Sequence, residues 1–94
     1  MKLLDYLEKA AALGAESVEI ECEDGREWIT AFRGKTSIEI GSESAERSAA
    51  LLAEIEMLIK QRVVALSGQR YRLSMSERES FGETVYLVRM KKVT

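Results

Sequence analysis

Ser17-Val18-Glu19-Ile20-Glu21-Cys22-Glu23-Asp24-Gly25 reads as a strand running into a tight turn, and every other element is placed relative to it. Strict alternation puts Val18, Ile20 and Cys22 on one side and Glu19, Glu21 and Glu23 on the other, the pattern of a strand with one dry and one wet face. Asp24-Gly25 then supplies two residues that accept positive φ, as a hairpin turn requires. Trp28, Ile29, Thr30 and Phe32 form the β-prone return run. Arg33-Gly34-Lys35 marks a second turn. After it, Thr36, Ile38 and Ile40 alternate with Ser37 and Glu39 in a third strand that ends at Gly41.

Upstream, Leu3, Leu4, Leu7, Ala10 and Ala11 recur at helical spacing. Gly14 follows Leu13 where a left-handed residue closes a helix, so the spacing predicts an amphipathic helix over residues 2–13. Downstream, Ser42 and Ser44 offer N-caps for a long helix over about residues 44–66. Its buried stripe is Leu51, Leu52, Ile55, Leu58, Ile59 and Leu66, with Gly68 closing it. From Gln69 to Ser76 the chain sets Tyr71, Leu73 and Met75 against Arg70, Arg72 and Ser74. A β-rich run over Thr84–Met90 follows the Phe81-Gly82 turn. The expected fold is a single α+β domain over residues 1–94. It is an antiparallel five-stranded sheet with two helices packed on one face, in the order αβββαββ.

Composition narrows the function classes. With 94 residues, 46% of them apolar and 32% charged, and six Gly but no Pro, the chain is an ordinary globular domain too small for a large enzyme. A single cysteine, Cys22, forms no internal disulfide, and the absence of His removes the usual zinc and Cys–His sites. The early acid at Asp5 and the lack of a long apolar run predict neither export nor a membrane span, and hence a cytoplasmic protein. Charge is unevenly distributed. Residues 1–59 carry six basic and thirteen acidic side chains, whereas residues 60–94 carry eight basic and three acidic. Acidic and basic strands paired side by side, or two opposed faces, both account for this.

The chemistry-bearing candidates have simple structural readings. Gly34-Lys35-Thr36 resembles the end of a phosphate loop, but Ile29 stands where the first Gly is required and a strand follows, so a hairpin turn is expected. Glu19, Glu21 and Glu23 share a face that reads as solvated or as paired with Arg70 and Arg72 on a neighbouring strand, not as a cation site. Arg70, Arg72 and Arg78 surround Tyr71, but alternation turns the tyrosine to the opposite face, against a base-stacking platform, and no nucleic-acid partner is expected. Cys22, flanked by Glu21 and Glu23, reads as a small buried hydrophobe, and Trp28, Phe32, Tyr71 and Phe81 as core or rim. No catalytic, cofactor or metal residues stand out, so no enzyme and no cofactor are expected.

Gly14-Ala15-Glu16-Ser17-Val18-Glu19-Ile20-Glu21 resembles the Gly-Ala-Ser-Asp-Ile-His-Ile-Glu segment of the N-terminal, PAS-like domain of type II secretion and type IV pilus (twitching motility) ATPases. Phe32-Arg33-Gly34-Lys35 is similar to that family's Arg-x-x-Gly-like turn. Leu51-Leu52-Ala53-Glu54-Ile55-Glu56-Met57-Leu58 stands at its Leu-Ile-x-x-Ile-Lys helix, and Gly82-Glu83-Thr84-Val85-Tyr86-Leu87-Val88-Arg89-Met90 at its closing hairpin. Glu16, Ser17 and Glu19 replace the family's Ser-Asp and His, so no functional residue carries over. The resemblance implies a domain that packs on an ATPase core in a hexameric ring, here without Walker motifs.

The expected function is therefore a non-catalytic protein-interaction or regulatory module whose partner is a protein such as a secretion or pilus ATPase. Glu19, Glu21, Arg70 and Arg72 are its contact residues, and a homodimer through sheet edges is a further option. The alternative is a PAS-like small-molecule sensor with a pocket between sheet and long helix, lined by Trp28, Phe32 and Leu58. A third reading is a piece of a larger ATPase, with apolar surface where the core sat.

Overall fold

The structure, a computed structural model, describes residues 2–44 and 48–93. Its elements in chain order are α1 (Lys2–Ala12), β1 (Ser17–Glu23), β2 (Arg26–Arg33), β3 (Thr36–Ser44), α2 (Ser48–Lys60), β4 (Val64–Leu66), β5 (Gln69–Ser80) and β6 (Glu83–Lys92). The six strands form one sheet in the order β3-β2-β1-β6-β5-β4, and every neighbouring pair is antiparallel. Two three-strand meanders thus meet where β1 lies against β6, with Ser17 opposite Arg89 and Glu21 opposite Val85.

The α+β class, the two helices and the antiparallel sheet agree with the sequence pattern; the strand count does not. There are six strands, because the long helix stops at Lys60 and Val64–Leu66 is a strand of its own. The helix ends with a tightened turn in which the Gln61 N–H donates to the Leu58 carbonyl at 3.1 Å. Beyond it, Val63 and Val64 are β-branched, and Val64 and Leu66 are buried on either side of exposed Ala65, a strand period that a helical stripe absorbs by accident. Gly68 is not a helix closer. With Ser67 it makes the β4–β5 turn, both residues left-handed at φ 50° and 77°. Ser42 and Ser44 lie within β3, which runs past Gly41, and residues 45–47, where the predicted helix begins, lie outside the described residues. β5 and β6 likewise run longer than predicted, to Ser80 and Lys92.

Every hairpin in the sheet has a two-residue loop. Asp24-Gly25 and Phe81-Gly82 match Ser67-Gly68 in having both residues left-handed, whereas in Gly34-Lys35 only Gly34 is, at φ 59°. These short loops fix register, and so decide which side chains face the helices.

Both helices cover one face. Leu3, Leu7 and Ala10 of α1 and Leu51, Ile55 and Leu58 of α2 bury against Val18, Ile20, Ile29, Ala31, Leu73 and Val88. Each large aliphatic side chain buried there contributes roughly 1.5–3 kcal/mol. Helix α1 closes as predicted at Gly14 (φ 77°), where the Ala15 N–H reaches the Ala10 carbonyl at 2.9 Å and the Gly14 N–H the Ala11 carbonyl at 3.0 Å. It is tied at three further points. The Leu3 N–H donates to Glu54 Oε2 of α2 at 3.0 Å, the Ser67 N–H donates to Glu8 Oε2 at 2.7 Å, and the Tyr6 hydroxyl donates to Glu43 Oε1 of β3 at 2.7 Å. The Tyr6 ring comes down directly on Gly41, just past a bulge in β3 where Thr30 pairs with Glu39 but Ile29 pairs with Gly41.

A Cβ at position 41 overlaps the Tyr6 ring. Gly41→Ala is expected to cost about 1–3 kcal/mol, the usual penalty for overpacking, measured by urea denaturation. Phe81 holds a bulky side chain in the left-handed region while fully exposed, so Phe81→Asn is expected to raise stability by about 1 kcal/mol in the same assay.

Candidate functional site

The face of the sheet opposite the helices is open, and alternation decides what it shows. On β1 and β2 it carries Glu19, Glu21, Trp28 and Phe32; on β6, Val85, Leu87, Arg89 and Lys91; on β5, Arg70, Arg72 and Arg78. Because β1 lies beside β6, the acidic and basic halves of the chain become adjacent halves of one sheet, the side-by-side arrangement of the two that the sequence allows.

The four expected contact residues share this face but do not meet. Glu19 is engaged internally: Arg78 Nη2 donates to its Oε2 at 3.1 Å. Arg78 starts on β5 and Glu19 on β1, so the arginine stem crosses β6, and Val85, which pairs with Arg78, is only 1% exposed despite lying on the helix-free face. The basic partner of the glutamate row is thus Arg78, not Arg70 or Arg72, because Arg78 pairs with Val85, which pairs with Glu21, whereas Arg72 pairs with Lys91, beyond the end of the β1–β6 ladder at Arg89. Glu21 lies beside Glu19's strand neighbours, between Trp28 and Val85.

Arg70 and Arg72 lie at the other end of β5, both exposed, with Arg72 directly opposite Lys91 and Arg89 two residues before Lys91 on the same face. The ion pairs among the described residues are Arg78–Glu19 and Lys2–Glu43, so none of these four cations is neutralised by a carboxylate there. Like charges directly opposite on a ladder are unfavourable, so this corner is not explained by stability. A shallow hollow of about 190 Å³ lies beside it, bordered by Arg72, Lys91, Lys92 and Val93. Arg89 and Lys91 were legible in principle, since Tyr86, Val88 and Met90 alternate with them as the inward set.

The helix-covered side holds two buried carboxylates, Glu27 and Glu43, opposite each other on β2 and β3. Glu43 accepts the Tyr6 hydroxyl and pairs with Lys2 Nζ at 3.7 Å. Burial, reinforced by that hydrogen bond and by the Glu43 charge, pushes the Tyr6 phenol up to about 12. Half-buried Cys22, opposite Glu27, has its thiol pushed up by burial first and then by the charges of Glu27 and Glu83, the reverse of what a nucleophile needs. Among the described residues, no group of three or more His, Cys, Asp or Glu side chains is placed to hold a metal ion, and no helix is long and apolar enough to cross a membrane. Gly34-Lys35 forms the β2–β3 turn and Tyr71 is buried, whereas Phe81, expected in the core or rim, stands at a hairpin tip in solvent. Trp28 and Phe32 are half-buried on the open face.

The Tyr6 shift sets a pH window. A phenol whose folded value lies above its ordinary value of 10.0 contributes stability that is complete below that value and is lost as pH rises to about 12. The wild-type unfolding free energy is expected to fall over that interval by more than that of Tyr6→Phe, followed by urea melts at successive pH values. No protein-family model matches the chain, and no curated protein matches it.

Proposed function

We propose that this chain is a non-catalytic, cytoplasmic docking module that holds an acidic protein surface against the basic corner of its open sheet face. The observation that carries this reading is the juxtaposition of Arg70, Arg72, Arg89 and Lys91 with no carboxylate paired to them among the described residues. A cationic cluster kept against its own repulsion is accounted for by an anionic partner that relieves it. The half-buried Trp28, Phe32 and Leu87 extend the same face with the aromatic and apolar area that protein interfaces favour. The resemblance to the N-terminal domain of secretion and pilus ATPases supports the same class of role, an accessory domain that docks on a larger protein, and makes such an ATPase the first partner to try.

The sensor alternative has less to stand on. The gap between the sheet and α2, bordered by Ile20, Glu27, Leu51, Leu52, Ile55 and Tyr86, holds about 10 Å³, the room of about one water. Ligand pockets occupy roughly 300–1,000 Å³. Trp28 and Phe32, expected to line that pocket, are on the other side of the sheet.

Arg70→Glu/Arg72→Glu is expected to lose at least about tenfold in affinity for an acidic partner, with unchanged far-UV circular dichroism, since both side chains are exposed. The probes are poly-glutamate peptide and proteins captured from native cytoplasm at low salt, each titrated with salt. Equal retention by the folded double variant removes the proposal.

A further inference from the structure

β3 is an outer strand, yet helix α1 leaves only part of its free edge open. The Tyr6 ring lies over Gly41, its hydroxyl also approaches the Ser42 carbonyl at 3.3 Å, and the bulge at Ile40 bends the strand away. On the near side of that bulge Thr36, Ser37, Ile38 and Glu39 are all exposed, Ile38 to 38%. The Gly34-Lys35 turn closes the open stretch at its other end.

Register decides which backbone groups are unused. A two-residue loop makes its flanking residues a hydrogen-bonded pair, so Thr36 bonds to Arg33 and, two residues on, Ile38 bonds to Ala31. The N–H and C=O groups of Ser37 and Glu39 therefore point away from β2, with Lys35 in the turn just before the strand. An identical stretch laid antiparallel about Ser37 sets Ser37 against Ser37 in a hydrogen-bonding position and brings Lys35 of each copy opposite Glu39 of the other. Both charge pairs are attractive and no like charges meet.

We propose that two copies of this chain associate by pairing this β3 stretch about a twofold axis at Ser37, joining two six-stranded sheets edge to edge. At the other end of the sheet the outer strand β4 is only three residues long, and β5 beyond it carries Arg72, Glu77, Arg78 and Glu79; a very short edge and such charge both discourage strand addition. The contact is isologous and self-limiting, since each copy uses its β3 edge once. The pairing is short and therefore weak and reversible. It places two open sheet faces in one plane, so a partner that is itself repeated is held at two points.

Sedimentation equilibrium of the full chain at low salt, up to about 1 mM, tests this at the weak end of specific association. The expected result is a reversible monomer–dimer equilibrium. Ser37→Pro removes the outward N–H without touching the β2 ladder, is tolerated on an edge, and is expected to stay monomeric. Lys35→Glu is expected to weaken the dimer about tenfold by turning both pairs repulsive, and Lys35→Glu/Glu39→Lys to restore it. Circular dichroism checks folding, and if Ser37→Pro does not fold, the two charge variants decide. A wild-type monomer throughout, wild-type dimerisation by folded Ser37→Pro, or no rescue in the double charge variant each overturns the proposal. None of these outcomes bears on Arg70 and Arg72, so the docking reading stands or falls separately.

Discussion

The pairing of β1 with β6 is the constraint on which the rest of the molecule depends. It is the seam between two meanders that are otherwise local, each closed by two-residue hairpins. Without it, the apolar faces of Val18 and Ile20 on one side and Val88 and Met90 on the other have no common surface for the helices to cover. The seam joins residues about seventy positions apart, so its loop-closure entropy must be met before the core rewards it. It also makes the electrostatics: the acidic meander and the basic meander abut there, and Arg78 spans β6 to reach Glu19.

Helix α1 acts as the clasp over that seam. It touches β3 through Tyr6, α2 through Glu54 and the β4–β5 turn through Glu8, so one short helix fastens parts of both meanders. The cost is a carboxylate, Glu43, carried into a buried position. That cost is offset because the Tyr6 hydroxyl and the Lys2 ammonium both face it. Gly41 is part of the same device, since only a residue without a side chain lets the ring settle close enough for its hydroxyl to reach Glu43.

What was legible in the sequence was whatever a local period or a turn dipeptide encodes. The alternation from Ser17 to Glu23 with Asp24-Gly25 located the first hairpin, and Gly14 located the end of α1. Val64–Leu66 is hidden because three residues are too few to break a helical stripe, although the paired valines and Ser67-Gly68 carry the signal. The candidate face was half legible: alternation put Arg70 and Arg72 on the wet side, but their true neighbours, Arg89 and Lys91, depend on the β5–β6 register. Strand order is non-local, so nothing in the sequence pattern reveals that β6 intervenes between β1 and β5 and hands Glu19 to Arg78. Phe81 misled for the opposite reason, as hydrophobicity argues for burial while turn geometry places it in solvent.

The same Phe81-Gly82 turn gives the molecule an unusual anatomy. β6 is paired with β5 over its whole length and with β1 over Val85–Arg89, yet is covalently joined to the preceding strand only through two residues in open solvent. The fold is thus a slot and its insert. Cutting the chain at that tip leaves the insert gripped by ladders on both flanks, so residues 2–81 and 82–93 are natural halves for fragment complementation, a route by which assembly of this domain becomes a reporter of two chains meeting.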